Sequence, residues 1–195
     1  MKASTAQYIL EKVSPIFNRK GYIGTSLSDL TKATNMTKGA IYGNFKNKED
    51  LALQAFKFNL KKAFMPLYKR MANEEEGQAK LLSMLDFYRH YYQQVEPLGG
   101  CPLINVGVDA QHINPSLFEQ AQQISKQQIR ELQAILARGM ETGVFAAIDQ
   151  PERLAKLILS MIEGASYMAF VHRDAQFILQ MTAHLETWLK TTLFN

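Results

Sequence analysis

Thr37-Lys38-Gly39-Ala40-Ile41-Tyr42-Gly43-Asn44-Phe45-Lys46-Asn47-Lys48-Glu49-Asp50-Leu51 reads as a short helix, a tight turn and the start of a second helix. Thr37 suits the N-cap of the first, because its hydroxyl can accept from a main-chain N–H that no helical carbonyl reaches. Ile41 and Phe45 are four apart and share one side, the side to be buried. Lys38, Ala40, Tyr42 and Asn44 face elsewhere, and Gly39 and Gly43 trim the surface so that another backbone can approach. Asn47 caps the next helix, with Glu49 and Asp50 set against the positive end of its dipole. A helix this short, with small residues and a few donors outward, suits insertion into a DNA major groove.

The preceding residues complete the unit. Ile9, Val13, Ile16 and Phe17 form an apolar stripe at helical spacing that ends near Gly21, with Pro15 expected to kink or distort the helix. Ser26-Leu27-Ser28-Asp29 fits a capping box opening a second helix, whose inner face would be Leu27, Leu30 and Ala33. Asn35 stands where the chain must turn, and Asn tolerates the left-handed conformation. Three helices with a tight turn between the last two make a helix-turn-helix domain over residues 1–47. Helix spacing alone fits an ordinary three-helix bundle as well.

Charge separates the two. Residues 1–72 hold 13 Lys and Arg against 4 Asp and Glu, whereas residues 73–195 hold 9 against 14. The net +4 therefore conceals a basic half at +9 and an acidic half at −5. The basic half coincides with the groove-reading unit, as a polyanionic partner requires.

At these residues the chain resembles the TetR family of bacterial transcriptional regulators. The matching residues are Gly21-Tyr22, Thr25-Ser26, Lys38-Gly39, Tyr42, Phe45, Lys48-Glu49 and Leu51, with Asn35 where the family usually has Gly. The resemblance implies that Thr25, Tyr42 and Lys48 hold phosphates. Main-chain N–H groups at the starts of helices two and three would do the same, with Thr37 and Gly39 at the start of helix three. It also implies that Lys38, Ala40 and Asn44 face base edges. The chemistry agrees, since Lys donates to guanine, Asn pairs with adenine and Ala touches the thymine methyl.

The remaining chain reads as all-helical, because β-branched alternation is missing and Gly and Pro are sparse outside the turns. Residues 48–195 form the second domain, with 48–72 a connecting helix that includes Pro66. Further helices are expected at Lys80 to Val95, Cys101 to Ala110, Pro115 to about Thr142, from Pro151 onward, and from about Asp174 to Phe194. The last two are apolar along Leu154, Leu157, Ile158, Met161, Ala165 and Met168, and along Phe177, Ile178, Met181, Leu185, Trp188 and Leu189. In the resembling family this pair builds a four-helix bundle with its symmetry mate, which implies a homodimer through about 151–194. A two-fold dimer also suits a palindromic operator in double-stranded DNA, with half-sites about 34–36 Å apart.

The resemblance further implies that the second domain is a chamber for a small-molecule effector. Phe64, Tyr68, Tyr88, Tyr92, Cys101, Ile104, Val108 and Met168 are its candidate lining, an aromatic and Met-rich set suited to an apolar or aromatic ligand. Cys101, between Gly99-Gly100 and Pro102, reads as an N-cap thiol open to electrophiles or oxidants, an alternative sensing device. The four histidines form no HExxH or other metal-spaced cluster, and neither a nucleophile elbow nor a phosphate-cradling glycine loop occurs. No catalytic residue, metal ligand or cofactor is expected. Met1 to Gln7 is polar rather than a leader, Leu157 to Val171 carries Glu163 and is too short to span a bilayer, and one Cys suits a reducing compartment. These point to a cytoplasmic protein with no membrane partner.

Overall fold

A computed structural model describes residues 4–147 and 149–194; the first three residues of the polar lead-in lie outside the described residues. The structure is 81% helical, with no strand among the described residues. Ten α-helices are described: α1 Thr5–Gly24, α2 Leu27–Thr34, α3 Lys38–Tyr42, α4 Lys48–Ala72, α5 Gly77–Arg89, α6 Tyr91–Val95, α7 Pro102–Asp109, α8 Pro115–Glu141, α9 Pro151–His172 and α10 Gln176–Trp188. A 3-10 turn at Glu96–Leu98 precedes α7, and a π turn at Leu189–Leu193 follows α10. The chain forms two compact units, one of Met1–Ala63 with Val95–Gln123, the other of Phe64–Gln94 with Ile124–Asn195.

In the first unit, Ile9, Val13, Leu30, Ile41, Phe45, Leu51 and Ala55 are buried together with Phe17. Helix α1 continues through Pro15; its break falls at Gly21, where φ is 70° and ψ 179°. The expected distortion at Pro15 does not interrupt the helix. The Ser14 hydroxyl donates to the Leu10 carbonyl at 2.6 Å, and the Asn59 amide donates to the Ser14 carbonyl at 2.8 Å. Helix α2 differs from its expected inner face in one position. Leu30 is buried but Leu27 is exposed, and Thr34 takes the inward place with its hydroxyl on the Leu30 carbonyl.

The second unit is built on an aromatic cluster. Phe64 stacks on Tyr91 at 5.7 Å between ring centroids, and Phe87 and Tyr88 pack edge-on beside them. The expected helix from Lys80 to Val95 is interrupted at His90, so α5 and α6 are separate. Arg70 pairs with Asp86 at 2.6 Å, and Arg89 pairs with Glu186, tying α4 to α5 and α5 to α10. Helix α9 has two apolar sides rather than one. Ala155, Ile158, Ile162 and Ala169 are buried, whereas Leu157, Tyr167, Met168 and Val171 are exposed. Its 22 residues make α9 long and apolar enough to cross a membrane by length and composition alone. The expectation that this stretch was too short counted only its most apolar residues.

Candidate nucleic-acid interface and effector pocket

The reading unit is assembled from three capped helix starts. The Ser26 hydroxyl accepts from Asp29 N at 3.1 Å while the Asp29 carboxylate accepts from Ser26 N at 2.9 Å, closing the capping box of α2. Lys20 adds an ion pair to Asp29 at 2.6 Å, and these partners hold the Asp29 carboxyl well below the usual carboxylate range. Asn35 ends α2 in the left-handed conformation, φ 54° and ψ 36°, which turns the chain into α3. The Thr37 hydroxyl accepts from Ala40 N at 3.2 Å, and the residue is exposed. Asn47 accepts from Asp50 N at 2.8 Å, and Asp50 accepts from Lys46 N at 2.9 Å, which together start α4.

With Ile41 and Phe45 buried beneath, α3 presents Lys38, Gly39 and Ala40 to solvent and leaves Tyr42 half-buried, and the turn after it presents Asn44. The Asn44 amide donates back to the Ala40 carbonyl at 2.9 Å. Lys48 stands at the first position of α4, half-buried, with Nζ 4.6 Å from the centroid of the Tyr22 ring. That burial lowers its pKa. Thr25 differs from the other candidates. It is fully buried and its hydroxyl donates to the Gly21 carbonyl at 2.7 Å, so the side chain does not face solvent.

The sequence offered no hint of what braces this unit. The Asp109 carboxylate, on α7, accepts from Tyr22 N at 2.9 Å. A Cβ at Gly21 would collide with that carboxylate, so the glycine serves both the backbone conformation and the approach. The Asn18 amide donates to the Leu98 and Gly100 carbonyls at 2.9 and 3.0 Å, and the Asn105 amide donates to the Asn18 and Gly99 carbonyls at 3.0 and 2.9 Å. Arg19 donates to the Pro97 carbonyl at 2.7 Å. Two amides, Asn18 buried and Asn105 half-buried, and one carboxylate thus stitch the 97–109 segment to α1. Gly21-Tyr22 was visible as a motif, but its partner stands 87 residues downstream.

The expected effector lining divides. Phe64, Tyr68, Tyr88, Tyr92 and Met168 belong to the second unit; Cys101, Ile104 and Val108 belong to the first. Val108 is 73% exposed and Met168 lies on the outer side of α9, since the inward positions of their helices are taken by other residues. Phe64 is core, buried against Tyr91. Tyr68 and Tyr88 do line a pocket, with Leu67, Met71, Met84, Gln128, Glu131, Leu132, Ile135 and Leu159. Its volume is about 30 Å³, far below the chamber expected for a drug-sized ligand. Burial and the neighbouring Glu131 carboxylate push the Tyr68 hydroxyl up to about 12.

Cys101 stands at the N-cap position of α7, as expected, but is only 1% exposed. The glycines before it open no path to it: Arg19 fills the space beside Gly99, and Asn105 the space beside Gly100.

Comparison with known proteins matches the same elements. Residues 9–55 match the profile of the bacterial regulatory proteins of the tetR family, and residues 77–185 that of a tetracyclin repressor-like C-terminal domain. The chain is 24% identical over 189 residues to the HTH-type transcriptional repressor DhaR of Mycobacterium sp. (strain GP1), spanning 95% of this chain and 93% of that one. Its fold resembles that of a TetR transcriptional regulator from Chloroflexus aurantiacus J-10-FL, with a TM-score of 0.91, 28% identity and coverage of 97% and 96%. A TetR-family regulator from Cytophaga hutchinsonii gives a TM-score of 0.85 at 29% identity over 98% of each chain.

Proposed function

From the premise that this chain belongs to the TetR family of bacterial regulatory proteins, we propose that it is a transcriptional repressor acting in the cytoplasm. It binds a palindromic operator as a homodimer and is released by a small effector with an apolar or aromatic body. The observation that carries this reading is the capped α2–α3 unit, whose outward face holds Lys38, Ala40 and Asn44 above a buried Ile41 and Phe45. A guanine, a thymine methyl and an adenine suit those three side chains respectively. Thr37, Tyr42, Lys48 and the main chain at Gly39 supply phosphate contacts, which position the helix without reading sequence. For Thr25 that leaves its main-chain N–H, because its hydroxyl is committed inside.

Dimerisation rests on the outer side of α9. Leu157, Tyr167, Met168 and Val171 are exposed on one helix, and Gly164 between them has open space where a Cβ would stand. An apolar stripe with a small residue at its centre lets a second helix approach closely, and two copies related by a two-fold axis cover each other. The effector reading draws on the aromatic second unit and on the Tyr68–Tyr88 pocket, which must widen to admit a ligand.

The test is a gel-shift titration with DNA from upstream of the gene, at low salt and with a scrambled control. A retarded band of dimer stoichiometry that fades with rising salt is the expected result, because phosphate contacts release counterions. Equal retardation of the scrambled fragment would refute sequence-specific control.

A further inference from the structure

Glu163 is the one acid of α9 set among inward-facing residues. Its Oε2 is shielded from solvent and has no hydrogen-bond partner among the described residues, and the same is true of the Ser166 hydroxyl one turn along. Residues three and four apart on a helix are neighbours, so Leu159, Glu163, Ser166 and Phe170 form a continuous edge of α9. Both ends of that edge lie beside aromatic side chains. Leu159 lines the pocket that contains Tyr68 and Tyr88, and Phe170 stacks on Tyr92 at 5.0 Å between centroids. The edge therefore carries one carboxylate oxygen and one hydroxyl without hydrogen-bond partners, between two groups of rings and all within the second unit.

An acid in that setting is costly as a bare charge. Burial alone raises its pKa to about 7, with no cationic side chain offsetting it. A structural role would call for a partner, since buried polar groups left unmade cost free energy that an apolar residue of similar volume would not. Aromatic rings favour a cation at their faces, and a carboxylate with a nearby hydroxyl favours one that carries N–H donors.

We propose that Glu163 and Ser166 form the anchor for a hydrogen-bond-donating organic cation, a protonated amine or amidinium on an aromatic body, and that this is the chemical class of the effector. The assignment rests on the effector-released repressor reading and sharpens it. The aromatic body occupies the Tyr68–Tyr88 side, and the N–H groups point to Glu163 Oε2 and Ser166 Oγ. A quaternary ammonium, which has no N–H, satisfies neither oxygen. A neutral alcohol leaves the charge uncompensated.

The experiment is calorimetric titration of the full-length protein at pH 8 with benzylammonium, benzamidinium, benzyltrimethylammonium and benzyl alcohol. Benzylammonium or benzamidinium should bind, with the other two weaker. Glu163→Gln, close in shape and uncharged, should lower that affinity by about 10- to 100-fold, and Ser166→Ala by a smaller factor. Circular dichroism establishes that both variants keep their helix content. The proposal is overturned if neither N–H cation binds, if Glu163→Gln binds them unchanged, or if benzyl alcohol binds as tightly. It is equally overturned if Glu163→Gln alters only dimer dissociation in sedimentation, which would make the carboxylate an interface group. Operator binding by the unliganded protein is measured alongside: a normal shift with no cation binding sinks this assignment alone, whereas no shift at all sinks the repressor reading.

Discussion

The Asp109 carboxylate accepts the main-chain N–H of Tyr22 at 2.9 Å, next to a glycine held at φ 70° and ψ 179°. The same Tyr22 lends its ring face to Lys48, whose Nζ stands 4.6 Å from the centroid. A residue of α7 thus positions the tyrosine against which Lys48, the lysine proposed to hold a phosphate, rests. Movement of the 97–109 segment would reach that lysine through two contacts.

Gly21→Ala should destabilise the protein by about 1–3 kcal/mol, because this backbone region is essentially open to glycine alone. The added methyl also displaces the Asp109 carboxylate. Asp109→Ala, which leaves the backbone unstrained, should cost about 1 kcal/mol for the lost bond. Urea denaturation measures both, and Asp109→Ala should also weaken operator binding. Full operator affinity in a folded Asp109→Ala protein would show that the brace does not serve the reading unit.

Lys48→Ala and Asn44→Ala should separate. Removal of Lys48 weakens cognate and scrambled DNA alike and reduces the salt slope by about 1. Asn44→Ala should cost about 1–3 kcal/mol on the cognate site and relax preference at one position of each half-site. The loss should fall toward the lower end, since Asn44 must first give up its 2.9 Å bond to the Ala40 carbonyl. Competition gel shifts with single-position operator variants distinguish the two patterns.

Loss of the α2 cap should be felt on both sides of the box. Ser26→Ala should cost about 1 kcal/mol in thermal unfolding. The Asp29 carboxyl is held below its ordinary value by Lys20 and by its bonds to Ser26. Its contribution is therefore present above the ordinary carboxylate pKa and fades as pH falls through the depressed folded value. Asp29→Asn should flatten that acid limb of the stability profile; an unchanged limb would show that the box is not its source.

Glu163 gives the opposite sign. Its folded pKa is raised by burial from 4.5 to about 7, so the folded state holds the proton more tightly than the unfolded one. Stability should decline as pH rises between those two values and level off above them. Glu163→Gln should remove this slope and stabilise the unliganded protein by about 1–3 kcal/mol at pH 8. Unfolding midpoints from pH 5 to 8 provide the check.

Cys101 should behave as a buried thiol. Its 1% exposure predicts slow reaction with a thiol reagent in the folded protein and fast reaction in urea. Rapid labelling of the native protein, with release of DNA, would restore the thiol-sensing alternative.

Local signals in the chain were enough to place α1 to α4 and the turn between α2 and α3. Capping residues, an Asn that tolerates positive φ, and apolar spacing act over three or four residues and are written directly into the order of side chains. The long helices α8 and α9 were legible for the same reason, down to Pro151 opening α9, whereas the break at His90 was not. Tertiary structure alone decided which candidates meet. Thr25 turned inward to the Gly21 carbonyl, Val108 outward to solvent, and α9 proved to have two apolar sides. Asp109 found Tyr22, and Glu163 Oε2 and the Ser166 hydroxyl were left without hydrogen-bond partners on one edge of α9. Such pairings depend on how helices distant in sequence cross, and no spacing rule within one helix encodes that.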